Sequence, residues 1–95
     1  MDGRNVDRQA AERLGRNLFM ARRRAGYSQE EVAARASLHR TEVGMIEHGE
    51  RLPRVDTLMK LVGALGIRPG ELLRGIEWLP GDLAASGRFA IRSPA

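Results

Sequence analysis

The stretch Ser28–Gly49, SQEEVAARASLHRTEVGMIEHG, decides how this chain folds. It predicts two short helices around a tight turn. Ser28 precedes Glu31 by three residues, the spacing of a capping box, in which each side chain takes an otherwise unpaired N–H of the first turn. Val32, Ala33 and Ala36 then form a narrow stripe of small apolar groups, on which a second helix can cross closely. The second helix runs from about His39 to His48 and stops at Gly49, a residue suited to a C-terminal cap.

The second helix presents two unlike faces. At about 100° per residue, with Arg40 set to zero, Gly44 falls at about 40°, His48 at about 80°, Thr41 at about 100° and Met45 at about 140°. Val43 and Ile46 lie on the far side and are expected to be buried. The open face thus carries a cation, a hydroxyl, a flat spot, a flexible apolar group and an imidazole. A solvated face is usually richer in Glu and Lys. A face that enters a DNA major groove needs such groups instead, Arg for guanine edges and apolar atoms for thymine methyls.

Further pieces flank this pair in order. They are LGRNL at 14–18 with Arg22, YSQEEVAARA at 27–36, IEHGER at 46–51, Pro53, TLMKLVGALGI at 57–67 and PGELL at 69–73. Together they resemble the helix-turn-helix of the Cro and phage-repressor family, also called XRE, over roughly Leu14 to Leu73. The resemblance implies a compact all-α, lambda-repressor-like domain of five helices. It implies that Arg22 pairs with Glu47 and so locks the recognition helix to helix 1. It also implies that Gln29 bridges phosphate and the recognition helix, and that the loop around Pro53 follows the DNA backbone.

Three positions depart from the family pattern. Ser37 stands in the turn where the family usually has Gly, which adopts a left-handed conformation cheaply. His39 stands where Ser or Thr commonly caps the helix; its imidazole either accepts an N–H or contacts a phosphate. Glu42 occupies a position often aromatic in the family. Its carboxylate either accepts from cytosine N4 or is held off DNA by Arg40 or Arg35.

Ninety-five residues allow one small domain. Aromatic residues are only 4% of the chain, so the core must be aliphatic. There is no cysteine, which excludes disulfides and Cys-based zinc sites. Two separated histidines offer no metal cluster, and no cofactor is expected. No apolar run approaches the roughly 18 residues of a membrane span, and no signal-peptide core is evident; a cytoplasmic protein is expected. The formal net charge is +4, and 15 of the 16 basic residues are Arg. Arg forks onto phosphate and base edges, although a GC-rich genome also favours Arg codons.

The chain divides into a flexible N-terminus at 1–7, the helix-turn-helix domain at 8–75 and a C-terminal arm at 76–95. Helix 1 is expected to start between Asp7 and Ala11, with Leu14, Leu18, Ala21 and Ala25 inward. Arg23 and Arg24 at its end read as solvated charge or phosphate contacts. A later helix over 56–65 buries Leu58, Leu61, Val62 and Leu65, and Pro69 opens a short one with Leu72 and Leu73 inward. In the arm, Ile76–Trp78 and Arg88–Arg92 alternate in polarity as short strands do. The arm is read as a hairpin covering the domain, as a strand exchanged with a second subunit, or as a tail with only Trp78 docked.

The expected function is sequence-specific binding of double-stranded DNA and transcriptional regulation, by a homodimer. Arg40, Thr41, Gly44 and Met45 are the candidate base readers. Gln29, His39, His48, Arg51 and Arg54 are the candidate backbone contacts. No catalytic constellation is visible. The alternatives are a DNA-binding antitoxin whose C-terminal segment holds a protein partner, and a protein-interaction module that has lost DNA contact.

Overall fold

A computed structural model of the chain describes residues 3–92. Its elements are α1 (Gly3–Ala25), α2 (Gln29–Ala36), α3 (Arg40–Glu47), α4 (Val55–Leu65), α5 (Pro69–Leu72), β1 (Ile76–Leu79) and β2 (Arg88–Ile91). The fold is mostly helical, with a two-stranded hairpin appended, so the expected all-α class holds only approximately. The expectations for Met1, Asp2 and residues 93–95 lie outside the described residues. Gly3 to Asp7 are helical, so α1 starts before the window that Asp7 as a cap suggests.

Local chemistry sets the helix ends. The Ser28 hydroxyl accepts from the Glu31 N–H at 3.0 Å, and the Glu31 carboxylate accepts from the Ser28 N–H at 2.8 Å. This capping box leaves α2 with two fewer unpaired donors. The backbone hydrogen bond from Ser28, reinforced by the one with its hydroxyl, holds the Glu31 carboxyl below its ordinary range. At the other end Ser37 takes the left-handed conformation, φ 56° and ψ 45°, and the Leu38 N–H donates to the Ala33 carbonyl. The departure from Gly at this turn has therefore kept the turn's geometry, at the steric cost of a Cβ there. His39 precedes α3 in extended conformation, and its side chain makes no capping hydrogen bond. The capping alternative for His39 is thus not realised.

The core is aliphatic. Leu14, Leu18, Val32, Val43, Ile46, Leu61 and Leu72 are each at most 2% exposed and belong to one cluster. Val43 and Ile46 are the inward pair of α3 that its periodicity predicts. Tyr27, Leu38, Leu52 and Ile76 pack around the rim. Two expected core residues are not there. Ala25 is exposed because α1 ends at that turn, and Leu73 is 42% exposed because α5 ends at Leu72, before a second inward position can form. Leu58 is only partly covered, while Thr57 and Ala64 are buried in α4.

Helix α1 is the spine on which the rest is placed. On one flank Gly15 lies against the C-terminal end of α3, where a Cβ would stand 2.6 Å from the Glu47 carbonyl oxygen. Only a residue without a side chain permits this crossing. On the other flank the Asn17 amide donates to the Leu72 and Arg74 carbonyls at 2.8 and 2.9 Å, closing the C-terminal end of α5. The hairpin follows directly. Its strands are antiparallel, with Ile76 opposite Ile91 and Trp78 opposite Phe89. The Trp78 and Phe89 rings meet edge to face at 5.1 Å, and Arg92 pairs with Glu77 at 2.7 Å. Arg13 on α1 donates to the Arg92 carbonyl at 3.1 Å, tying the hairpin root to the spine. Within the chain the arm folds as a hairpin, the first of its three readings. Trp78 nevertheless stays 53% exposed.

Candidate nucleic-acid interface

The position of α3 is fixed from behind. Arg22 of α1 donates through Nε to Glu47 Oε2 at 2.6 Å and through Nη2 to Glu47 Oε1 at 3.0 Å. The same guanidinium donates through Nη1 to the Tyr27 carbonyl at 2.9 Å. The side chains are only 10% and 4% exposed. A bidentate pair of this kind is geometrically specific, since the planar fork admits one orientation. The Gln29 amide completes it, donating to Glu47 Oε1 at 3.0 Å. One carboxylate thus joins α1, the start of α2 and the end of α3.

Gln29 has a further contact. A Cβ on Gly44 would meet the Gln29 side chain at 3.6 to 3.8 Å. The flat spot on α3 is therefore where Gln29 lies, half covered, across the helix. Gly44 and Gln29 come together, and Gln29 is held at Glu47.

Arg40, Thr41 and His39 are exposed at the start of α3. Met45 lies one turn on, partly covered, and the Arg51 guanidinium donates to its sulfur at 3.3 Å. That contact brings the loop after α3 back onto the helix. His39, Thr41, Glu42, Met45 and Arg51 then share one shallow cleft. His48 turns its ring to its own helix, with Nδ1 2.7 Å from the Gly44 carbonyl. Arg54 sits apart, at the N-terminal edge of α4, 3.5 Å from Asp56, with both side chains well exposed. A pair so exposed holds neither side chain firmly.

Glu42 is not held as expected. Among the described residues it forms no ion pair with Arg40 or Arg35. Arg35 is occupied elsewhere: its Nε donates to the Ala64 carbonyl at 2.8 Å, and its guanidinium lies over the Tyr27 ring at 4.8 Å. It ties α2 to α4. Arg23 stacks toward the Phe19 ring, as Arg22 does. Gly15 and Asn17 are positioning residues that the spacing of the sequence does not single out. Gly15 carries a weak signal, a lone glycine inside a helical pattern. Asn17 carries none, since a polar residue on a helix surface is ordinary.

Among the described residues no helix is long and apolar enough to cross a membrane. Comparison with known proteins matches residues 18–72 to the helix-turn-helix family. The chain is 37% identical over 67 residues to the HTH-type transcriptional regulator y4dJ of Sinorhizobium fredii, covering 70% of this chain and 87% of that one. It is 40% identical over 50 residues to the control protein C.BamHI of Bacillus amyloliquefaciens, covering 53% of this chain and 62% of that one. Among solved structures it is similar to the restriction-modification controller protein C.AhdI of Aeromonas hydrophila. That likeness has a TM-score of 0.66 and 36% identity, over 67% of this chain and 97% of that one. The capped α2, the left-handed turn, the locked α3 and these matches agree, and the chain belongs to the XRE-type helix-turn-helix family of DNA-binding transcription regulators.

Proposed function

We propose that the protein recognises a specific site on double-stranded DNA by laying α3 in the major groove, and regulates transcription by occupying a promoter or operator. The observation that carries this is the two-sidedness of α3. Val43 and Ile46 are buried in the core and Glu47, at the edge of that face, is fastened to Arg22, while Arg40 and Thr41 stand exposed. A rigid mount with a free polar face is what groove reading needs.

In this reading Arg40, Thr41 and Met45 meet base edges, and Gly44 keeps the helix surface low enough for Gln29 to lie across it. Gln29, His39, His48, Arg51 and Arg54 meet the phosphate backbone. Gln29 is pre-oriented by Glu47. The protein acts in the cytoplasm as a symmetric homodimer on a two-fold site. The exposed apolar side chains Val55 and Met59, one turn apart on α4, and Trp78 on the hairpin are available to a second copy. The likeness to restriction-modification controllers supports the regulatory role. No catalytic role is proposed. One observation favours a second reading, an antitoxin that holds a protein partner through residues 76–95: the hairpin lies outside the matched residues and leaves Trp78 half exposed.

The test is selection of bound fragments from genomic DNA, run beside Arg40→Ala at two salt concentrations. Enriched sites with two-fold symmetry, weakened in the variant by about 1–3 kcal/mol, support the proposal. Equal, salt-labile retention of all fragments by both proteins refutes base reading by α3. Co-purification of a protein bound through the hairpin would favour the second reading.

A further inference from the structure

Four arginines crowd one flank of α1. Arg13, Arg16 and Arg24 from α1 and Arg74 from the turn after α5 line a cleft of about 400 Å³, with Met20 at its side. That volume is within the range of small binding sites. Glu71 is the one carboxylate on its wall. Among the described residues none of the four guanidinium groups lies within ion-pair distance of a carboxylate, whereas Arg8, Arg22, Arg54 and Arg92 each do. Four like charges around one cleft repel each other and raise a positive potential inside it, which an anion relieves.

This cleft is not on the recognition side. On the α1 wheel, with Leu14 at zero, Gly15 and Arg22 face α3 at about 100° and 80°, while Asn17, Arg24 and Arg13 fall at about −60°, −80° and −100°. The structure agrees, since Asn17 binds the end of α5 and Gly15 meets α3. Arg13, Arg16 and Arg74 also lie outside the residues matched to the family. The guanidinium of Arg13 is held at the hairpin root by the Arg92 carbonyl, so part of the charge is fixed in place before any ligand arrives.

We propose that this cleft docks a short acidic segment of a partner protein. A concave cleft admits an extended chain, whose carboxylates pair with the arginine forks. A duplex is convex and far wider than the cleft. Met20, 48% exposed, adds apolar surface beside the cations, which suits a segment mixing carboxylates with aliphatic side chains. A regulator held on DNA by α3 would thereby present its other flank to an acidic partner. The placement away from DNA rests on the proposed role of α3; the binding of an acidic segment does not, so each can fail alone.

The experiment uses the full chain and a fluorescein-labelled peptide of alternating Glu and Leu, with its Lys counterpart as control. Fluorescence anisotropy follows binding, with and without the duplex recovered by the genomic selection. The variant is Arg16→Gln combined with Arg74→Gln, both exposed positions outside the core. The expected result is binding of the Glu peptide to free and DNA-bound protein alike. The double variant should lose about tenfold in peptide affinity and keep its duplex affinity within about threefold at physiological salt. Failure of the Glu peptide to bind better than the Lys peptide overturns the proposal. So does displacement of the peptide by duplex, or an equal loss of duplex and peptide affinity in the variant, which would make the cleft part of the DNA track. Displacement by inorganic phosphate at a few millimolar would assign the cleft to small anions and overturn it as well.

Discussion

Replacing Glu47 by Ala should be among the most damaging single changes in the chain. The Glu47 carboxylate accepts from Arg22 at 2.6 and 3.0 Å and from Gln29 at 3.0 Å, in surroundings that leave it 4% exposed. Without it the Arg22 guanidinium, itself nearly buried, keeps only the Tyr27 carbonyl as acceptor. Breaking a buried pair by removing one partner costs about 3–5 kcal/mol, because the other charge stays desolvated. Total stability of a domain is about 5–15 kcal/mol. At roughly 4–8 °C per kcal/mol for a domain of this size, the midpoint should fall by roughly 12 °C or more. The double variant Arg22→Met with Glu47→Leu is the control. It removes both charges, so it should be several kcal/mol less harmful than the two single costs summed. Thermal and urea unfolding of Arg22→Met, Glu47→Leu and the double variant beside the unmodified chain completes the cycle. A loss below about 1 kcal/mol in Glu47→Ala would mean that water or another cation-accepting group reaches Arg22, and would refute the reasoning. So would strict additivity across the cycle.

Two smaller effects follow from helix ends. Ser37→Gly removes a Cβ from a left-handed residue and should stabilise the fold by about 1 kcal/mol, read as a higher unfolding midpoint; a lower midpoint would show that the Ser side chain contributes more than its strain costs. The Glu31 carboxyl is held below its ordinary value of 4.5 by its bonds from Ser28, so its charged form stabilises the fold above that value. The advantage of the wild type over Glu31→Gln should be full at neutral pH, shrink as pH falls through the lowered folded-state value, and vanish below it. A difference constant across acid titration would contradict the charged capping bond.

What is legible in the sequence is whatever depends on short-range spacing. Ser28 and Glu31 stand three apart and form their box; Val43 and Ile46 stand three apart and share the buried side. The Arg22–Glu47 pair spans 25 residues and is invisible to periodicity; the family resemblance supplies it. Positions whose role depends on what arrives from elsewhere are less legible. Leu73 resembles Leu72 in sequence, but α5 ends between them. Arg35 is a reasonable partner for Glu42 on spacing alone, yet Tyr27 and the Ala64 carbonyl claim it. Gly44 reads as a gap left for DNA, and its nearest neighbour is the Gln29 side chain of α2. The hairpin strands are visible as alternation, but not which surface they cover.

These long-range contacts converge on α1, and that gives the helix a part that a mere scaffold would not have. Its Gly15 and Arg22 set the depth and orientation of α3, while Asn17 and Arg13 hold the end of α5 and the hairpin root on the opposite flank. Gly15 and Asn17 are two residues apart, Arg13 and Gly15 likewise, so the two flanks are fastened to the same two turns of one helix. A rigid helix transmits a shift of one flank to the other without any intervening loop. An event that moved the hairpin root would act on α1 through Arg13, at the level of the Gly15 crossing. That crossing tolerates no Cβ and hence little displacement. The same tightness holds the hairpin root and the end of α5 at a fixed place relative to α3, so one helix sets the geometry of both flanks.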